Sequence, residues 1–187
     1  MRQKSIKIQT KGNGTLAGLV LTNDGVSGNR PVILAIHGWT SAMNRYPKRV
    51  TPLVELGYTC LLFDMRGHGE TGGELSTLSA RDHYEDCLSA YDYMINMENV
   101  DTNNISIFGS SYGGYQAVLV TTSRAVHHLV LKSPALYDDE LYEIPDSQRS
   151  GRTTQYRLQH HSPSDNMALK AVHNFKGNIL DLLRNNK

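Results

Sequence analysis

Four short, continuous apolar runs constrain the fold of this chain more than any other feature of its sequence. They are separated by segments with helical spacing, and each ends in small or polar residues: PVILAIHG, YTCLLFD, ISIFG and HLVLKSP. Strands buried on both faces have this pattern, as in a parallel sheet that helices cover on each side. Strand and helix in alternation predict right-handed crossovers and an α/β fold, built on a doubly wound, mostly parallel sheet.

The segments around these runs complete the prediction. SIKIQT and LAGLVLT alternate polar and apolar residues and are joined through KGNG, which predicts an antiparallel hairpin at the N-terminus. In the segment 80–97, an apolar face at helical spacing is predicted from Tyr84, Leu88, Tyr91 and Ile95. Further helices are predicted in YPKRVTPLVELG, YGGYQAVLVTTS and SDNMALKAVHNF, the last capped by Ser164 or Asp165.

One polar stretch, residues 137–163, breaks this alternation and has no sustained period. We expect it to form an irregular, cap-like excursion over one edge of the sheet. With 187 residues, of which 39% are hydrophobic, the chain has the length and apolar content for one compact domain over 1–187.

Composition narrows the classes of partner and compartment. The formal net charge is +1, so no strong field favours nucleic acid or an anionic membrane. Lysines interrupt the first residues, no apolar block has the length of a signal peptide, and no run approaches the roughly 18 residues of a membrane span. Cys60 and Cys87 have no metal-ligand spacing, so two reduced thiols and a cytoplasmic protein are expected.

Three loops should carry the function, because ligands of such sheets bind beyond the carboxyl ends of the strands. They begin at His37, Asp64 and Gly109. The third contains GSSYGG, in which the pattern G-x-S-x-G fits only with Ser111 as the central serine. Because it follows a predicted strand and opens a predicted helix, it has the context of a nucleophile elbow rather than of an inert glycine-rich turn.

From about Pro31 to Ala135 the chain resembles the α/β-hydrolase superfamily, with HGWTS, FDMRGHGETGG and FGSSYGG in that order. The first two motifs look like those of small acyl esterases, including the cinnamoyl esterase type. GSSYGG is more similar to the prolyl oligopeptidase and acyl-peptide hydrolase families. The resemblance implies that Ser111 is the nucleophile and that the backbone N–H groups of Tyr112 and Trp39 form the oxyanion hole. It also implies that His68 shapes the pocket wall rather than acting as the base.

The general base is the part that the resemblance does not supply. In the family the acid follows the seventh strand and the histidine the eighth, whereas here the expected seventh strand, KGNIL, is followed only by DLLRNNK. His127, His128 and His173 are expected at the wrong edge of the sheet. His83 is expected at the start of a helix in an exposed polar role, and His37 belongs to the oxyanion loop.

Two explanations remain open. A premature end or a change of reading frame near Leu180 would remove the acid and the histidine, together with an edge strand and a covering helix. Alternatively, a rewired triad would take its acid from Asp138 or Asp139, after the sixth strand, and its base from His160 or His161.

The sequence therefore predicts a serine hydrolase that acts on small carboxylic esters or short peptides, without metal or organic cofactor, and that is impaired in this chain. A peptidase of the prolyl oligopeptidase or acyl-peptide hydrolase type is the alternative within that class. Outside it stand a non-catalytic binding protein with the same fold and a metal-dependent hydrolase. The retained elbow disfavours the first, and the lack of partners at ligand spacing for His160 and His161 disfavours the second.

Overall fold

The computed structural model describes residues 1–149 and 166–182, and of residues 179–182 only the backbone. Within these residues, seven strands and four helices follow one another, with short 3-10 turns between some of them. In chain order they are β1 Arg2–Gln9, β2 Thr15–Thr22, β3 Arg30–Ile36, α1 Pro47–Glu55, β4 Thr59–Phe63, α2 Ala80–Ile95, β5 Val100–Ser110, α3 Tyr112–Val120, β6 His128–Lys132, α4 Met167–Asn174 and β7 Asn178–Leu182.

The strands form one sheet in the order β1-β2-β4-β3-β5-β6-β7. β1 and β2 form the predicted hairpin, and β2 pairs antiparallel with β4. All remaining neighbours are parallel, with Leu34 of β3 opposite both Leu61 of β4 and Ile107 of β5. The doubly wound, mostly parallel sheet that the apolar runs predict is therefore confirmed.

Helices cover both faces of the sheet, because alternate residues of the central strands point to opposite sides. Ile33 and Ala35 pack in a cluster with the buried valines of α1. On the opposite face of β3, Val32, Leu34 and Ile36 pack in a larger cluster with α2, α3 and α4. Burial on both faces explains why these strands have continuous apolar sequences.

The buried face of α2 differs from the prediction. Of the four expected residues only Tyr91 is fully buried, whereas Tyr84, Leu88 and Ile95 lie at the margin of the core. The face turned inward consists of Ala80, His83, Asp86, Cys87, Ala90, Tyr91 and Met94. Two polar side chains can lie inside because residues of the neighbouring loops and of α3 provide hydrogen-bond partners for them.

Two element ends also differ from expectation. The side chain of Asn166 caps α4 by accepting a hydrogen bond from the N–H of Leu169 at 3.1 Å, and the predicted caps at 164 and 165 lie outside the described residues. β7 continues to Leu182 and so includes Asp181. In the irregular segment, two 3-10 turns are formed by Asp139–Leu141 and Asp146–Gln148. Residues 150–163 of that segment lie outside the described residues.

Cys60 in β4 and Cys87 in α2 are both buried and free, as their spacing predicts. Burial raises the pKa of the Cys60 thiol to about 12, so it stays protonated at neutral pH. Among the helices within residues 1–149 and 166–182, none combines the length and the apolar character that a membrane crossing requires.

Asp64, directly after β4, ties together the loops at the carboxyl end of the sheet. Its buried carboxylate accepts hydrogen bonds from the backbone N–H of Met43 at 2.6 Å and of Glu70 at 2.9 Å. Gly69 lies so close to this carboxylate that a β-carbon on it would approach Oδ2 to 2.0 Å. The loop after β3 and the loop after β4 are therefore held against one another by one side chain.

We expect Asp64→Ala to lower the free energy of unfolding by about 2–4 kcal/mol, since it removes two hydrogen bonds to a charged group and leaves a buried N–H unpaired. Urea denaturation followed by circular dichroism measures the change. Asp24→Ala is the matched control, because Asp24 is exposed and should cost less than about 0.5 kcal/mol. Equal midpoints for both variants would contradict the role given to Asp64.

Candidate active site

Ser111 is the residue between β5 and α3, and its backbone is strained. Its φ of 53° and ψ of −118° are rarely adopted by a residue with a side chain. Hydrogen bonds stabilise this conformation: the Ser111 N–H donates to the carbonyl of Lys132 at 3.0 Å, and the Ser111 carbonyl accepts from the N–H of Gly114 at 2.9 Å and of Ala135 at 3.0 Å. The side chain is exposed. Within the described residues its hydroxyl makes no hydrogen bond.

Two glycines flank the serine because the chain passes too close to other backbone for a side chain. A β-carbon on Gly113 would lie 2.3 Å from the carbonyl oxygen of Ile36, and one on Gly109 would lie 2.3 Å from the carbonyl oxygen of Gly113. The first turn of α3 therefore packs directly on the end of β3. The G-x-S-x-G pattern thus has the geometry of an elbow that presents Ser111 at the carboxyl edge of the sheet.

The loop after β3 lies beside this elbow. A β-carbon on Gly38 would be 3.2 Å from the carbonyl oxygen of Ser110 and 3.5 Å from Cβ of Ser111. In the described part of the chain, neither the N–H of Trp39 nor that of Tyr112 donates a hydrogen bond. Two backbone N–H groups without an acceptor in the described residues therefore lie at the carboxyl edge of the sheet, as Ser111 does. That of Tyr112 is at the start of α3, where the helix dipole favours negative charge.

His37 supports this loop from inside and stays neutral. Its Nδ1–H donates to the carbonyl of Gly38 at 2.9 Å, and its Nε2 accepts from the N–H of Met65 at 3.2 Å. Burial lowers the pKa of His37 to about 4. The 3.9 Å approach of Nε2 to the Asp64 carboxylate is therefore not an ion pair at neutral pH.

His83 is wholly buried, which corrects the expectation of an exposed polar role. Its Nε2 lies 3.0 Å from the carbonyl oxygen of Arg66, and its Nδ1 lies 2.9 Å from the hydroxyl of Tyr112. Nε2 of Gln116 donates to the oxygen of the same hydroxyl at 2.9 Å. Burial lowers the pKa of His83 to about 3, and the neighbouring His68 acts in the same direction. This network was not predicted from the sequence. The residues that include His83 repeat at helical spacing just as the predicted apolar face does, and the larger apolar side chains favoured the predicted face.

Arg66 connects the loop after β4 to α2. Its backbone N–H and its Nε donate to the two carboxylate oxygens of Asp86 at 2.8 and 2.7 Å, and a further donor reaches the carbonyl of Asp82 at 2.6 Å. Asp86 is fully buried, and burial raises its pKa to about 6 although the hydrogen bonds from Arg66 pull the other way. Arg66 therefore positions the carbonyl that His83 binds.

His68 is buried behind the loop that follows β3. Its Nδ1 is 3.0 Å from the same Arg66 carbonyl, and its ring contacts those of His37, Trp39 and His83 with centroids 4.9 to 5.4 Å apart. The ring is 5% exposed, and within the described residues its Nε2 has no hydrogen-bond partner.

The candidates for a substitute acid, Asp138 and Asp139, lie in the described part of the chain. The Asp139 carboxylate accepts from the N–H of Met167 at 2.8 Å and from the Asn166 side chain at 3.2 Å, so it supports the start of α4. Asp138 begins a 3-10 turn, and its side chain gives that turn no capping hydrogen bond. His160 and His161 lie outside the described residues. Their catalytic roles stay predictions.

The other histidines lie where the sequence indicates, at the amino ends of β6 and β7 and away from Ser111. His128 begins β6, Nδ1 of His127 accepts from the N–H of Ile105 at 3.2 Å, and His173 is near the end of α4. Within residues 1–149 and 166–182, no group of three or more histidine, cysteine, aspartate or glutamate side chains is placed to hold a metal ion.

Acidification should destabilise the fold, because His37 and His83 must stay neutral when buried. Each binds a proton in the unfolded chain near pH 6.5 but in the folded chain only near 4 and 3, so stability is lost as pH falls through that window. Asp86 has the opposite effect: folding raises its pKa from 3.8 to about 6, so it adds stability as the pH falls through that range. We expect urea denaturation to give an unfolding free energy about 1–2 kcal/mol lower at pH 5.5 than at pH 7.

Two histidine variants test this assignment. His83→Gln removes one of the titrating groups and should reduce the pH-dependent loss by about 1 kcal/mol. His173→Gln is the matched control, because His173 is exposed and should leave the loss unchanged. A stability that rises on acidification would show that Asp86 outweighs the two histidines.

Comparisons with known proteins identify the family of this chain. A family model for serine aminopeptidase, S33, matches residues 27–175. The chain is 32% identical over 95 residues to acylamino-acid-releasing enzyme 2 of Oryza sativa subsp. japonica, an alignment that covers 48% of this chain and 12% of that enzyme.

Two solved structures share the fold. The α/β hydrolase GrgF from Penicillium sp. sh18 superposes with a TM-score of 0.66 at 22% identity, over 73% of this chain and 47% of that one. The Pyrococcus furiosus esterase Pf2001 superposes with a TM-score of 0.62 at 25% identity, over 73% and 50%. The chain thus spans about half or less of the length of the proteins it matches. Because the family model matches most of the chain and the fold is shared, the chain belongs to the serine aminopeptidase S33 family of α/β hydrolases.

Proposed function

We propose that this chain carries the nucleophile and the oxyanion hole of a serine hydrolase that cleaves small carboxylic esters or amides through an acyl-enzyme on Ser111. The observation that carries the proposal is the strained, exposed Ser111 beside the backbone N–H groups of Trp39 and Tyr112, which donate no hydrogen bond within the described residues. A glycine-rich turn without chemistry has no need of such strain. The esterase Pf2001 and the acylamino-acid-releasing enzyme support the same reaction class.

The reaction follows from the positions of these groups. Ser111 Oγ attacks the substrate carbonyl carbon, the hydroxyl proton passes to a base, and the carbonyl oxygen becomes an oxyanion. The N–H groups of Trp39 and Tyr112 donate to that oxyanion, which is usually the largest single contribution to catalysis. Collapse expels the alcohol or amine with a proton, and water then releases the acid from Ser111.

The choice between ester and amide follows from the leaving group, which an amide must receive as a protonated amine. Activated esters need no such proton, because their leaving groups depart as anions. On that ground we propose activated esters as the first substrate class. The relation to the acylamino-acid-releasing enzyme supports short acyl-peptides as the second substrate class.

Neighbouring serines provide a matched test of the nucleophile. We expect Ser111→Ala to abolish the acetyl-enzyme formed from p-nitrophenyl acetate, whereas Ser110→Ala leaves the rate of its formation within about twofold, since only Ser111 lies at the elbow. Mass spectrometry of the acid-quenched protein measures the acetyl adduct in both variants. An adduct of unchanged yield in Ser111→Ala would refute the proposal, and an equal loss in the two variants would point to damage of the turn.

The source of the base decides how active the 187-residue chain is. Without a histidine that reaches Ser111, turnover should fall by about 10⁶, as on removal of the base in subtilisin, which leaves roughly 10³–10⁴ over water from the oxyanion hole and binding. In that case we expect activity barely above background and weak labelling by a fluorophosphonate. A fused C-terminal segment from a relative in the same family should raise both.

The rewired triad gives the opposite result. The unmodified chain would then label well, and His160→Ala or His161→Ala would reduce labelling as strongly as Ser111→Ala. His127→Ala and His173→Ala are the controls, since both residues lie at the other edge of the sheet. Strong labelling that neither His160→Ala nor His161→Ala reduces would contradict both sources of the base.

A further inference from the structure

Three aromatic side chains meet directly behind the proposed oxyanion hole. The rings of Trp39 and Tyr112 are 5.0 Å apart between centroids and 78° apart in plane. The His83 ring contacts both edge-on, at 5.8 Å from Trp39 and 5.7 Å from Tyr112. The two residues whose backbone N–H groups would bind the oxyanion thus share one buried neighbour, and that neighbour belongs to neither loop.

The hydrogen bonds of His83 allow only one arrangement. The Arg66 carbonyl can only accept, so Nε2 of His83 carries the hydrogen and donates to it at 3.0 Å. Nδ1 is then an acceptor and takes the hydroxyl hydrogen of Tyr112 at 2.9 Å. Gln116 donates to the same hydroxyl oxygen, which fixes its direction. Burial keeps His83 uncharged at neutral pH, so the acceptor at Nδ1 stays available.

We infer that His83 is a positioning residue of the oxyanion hole, which holds the backbone N–H groups of Trp39 and Tyr112 in register with Ser111 without touching the substrate. This inference rests on the function proposed above. Tyr112 is the first residue of α3, so anchoring its ring orients the N–H that begins the helix. Trp39 directly follows Gly38, which lies against the elbow, and the His83 ring limits how the Trp39 ring can turn.

The anchor itself is rigid. His83 lies in the first turn of α2, where Ser79 and Asp82 form a reciprocal capping box. Its other partner, Arg66, is held by two hydrogen bonds that it donates to the carboxylate of Asp86. Misplacement of a catalytic group by about 1 Å can cost about 10² in rate, so a fixed anchor at this position has a direct consequence for the reaction.

A tetrahedral probe reports on the hole without requiring turnover. Ser111 Oγ adds to the boron of phenylboronic acid, its hydroxyl proton leaves to solvent, and the boron becomes a tetrahedral anion. One boron-bound oxygen then takes the place of the oxyanion opposite the two N–H groups. Affinity is measured by calorimetry, and the amide resonances of Trp39 and Tyr112 are followed by ¹H–¹⁵N spectroscopy, with and without the probe.

We expect His83→Leu to weaken phenylboronic acid binding about tenfold and to shift both amide resonances in the free protein, since one oriented hydrogen bond is lost. Tyr112→Phe removes the same bond from its other end and should give a similar loss, and the double variant should lose little more. His83→Gln, which can accept and donate in the same directions, should recover most of the affinity. Met94→Ala is the control, because Met94 is buried on the same helix away from the site and should lower stability only.

Wild-type affinity in both His83→Leu and Tyr112→Phe would overturn the inference. An equal loss of affinity in Met94→Ala would overturn it as well, since that result indicates general destabilisation. If phenylboronic acid bound the wild type and Ser111→Ala equally, the proposed function would fail, and the amide resonances alone would decide. Unshifted Trp39 and Tyr112 amides in His83→Leu would then overturn the positioning role.

Discussion

The contact between the first turn of α3 and the end of β3 is the constraint on which the rest of the site depends. Gly113 lies against the carbonyl oxygens of Ile36 and His37 with no room for a β-carbon. This contact sets the distance between the elbow and the loop that contains Trp39. Any side chain at position 113 would separate the two and turn the N–H groups away from Ser111. Gly109 and Gly113, which flank Ser111, are therefore required by backbone packing rather than by flexibility.

Much of this arrangement could be predicted because its causes are local. A strand buried on both faces needs a continuous apolar run, and an elbow needs glycines two residues before and after the serine. Both are readable in single segments such as PVILAIHG and GSSYGG. The doubly wound, mostly parallel sheet and the place of Ser111 after a strand follow from those segments together with the general rules of parallel sheets.

The polar core of α2 could not be predicted, because its causes are distant in sequence. His83 and Asp86 are buried only because Tyr112 and Arg66 bring partners from other elements. A periodic pattern favours Tyr84, Leu88 and Ile95, but these large side chains fit at the margin of the core and not beneath the loops. The cap of α4 was misplaced for a similar reason, since Asp139 also binds the Asn166 side chain and the first N–H of the helix.

Electrostatics then limits what the site can tolerate. The imidazole of His68 lies 4.9 Å from that of His37 and 5.4 Å from that of His83, measured between centroids. The carbonyl of Arg66 faces the ring nitrogens of both His68 and His83, so its two lone pairs are both engaged. A proton added to His83 would remove the acceptor that Tyr112 uses and place a positive charge in a buried cluster. The same arrangement that orients the loops therefore makes them sensitive to acid.

The hydrogen bonds that hold Ser111 in its strained conformation all come from residues 111–135. Lys132 and Ala135, on either side of the turn after β6, complete the set that the first turn of α3 begins. The hydrogen bonds of the Ser111 turn thus come from residues that precede the candidate acids and bases at positions 138, 139, 160 and 161. The strain at Ser111 is therefore maintained without them, so the nucleophile turn keeps its shape whichever group accepts the proton.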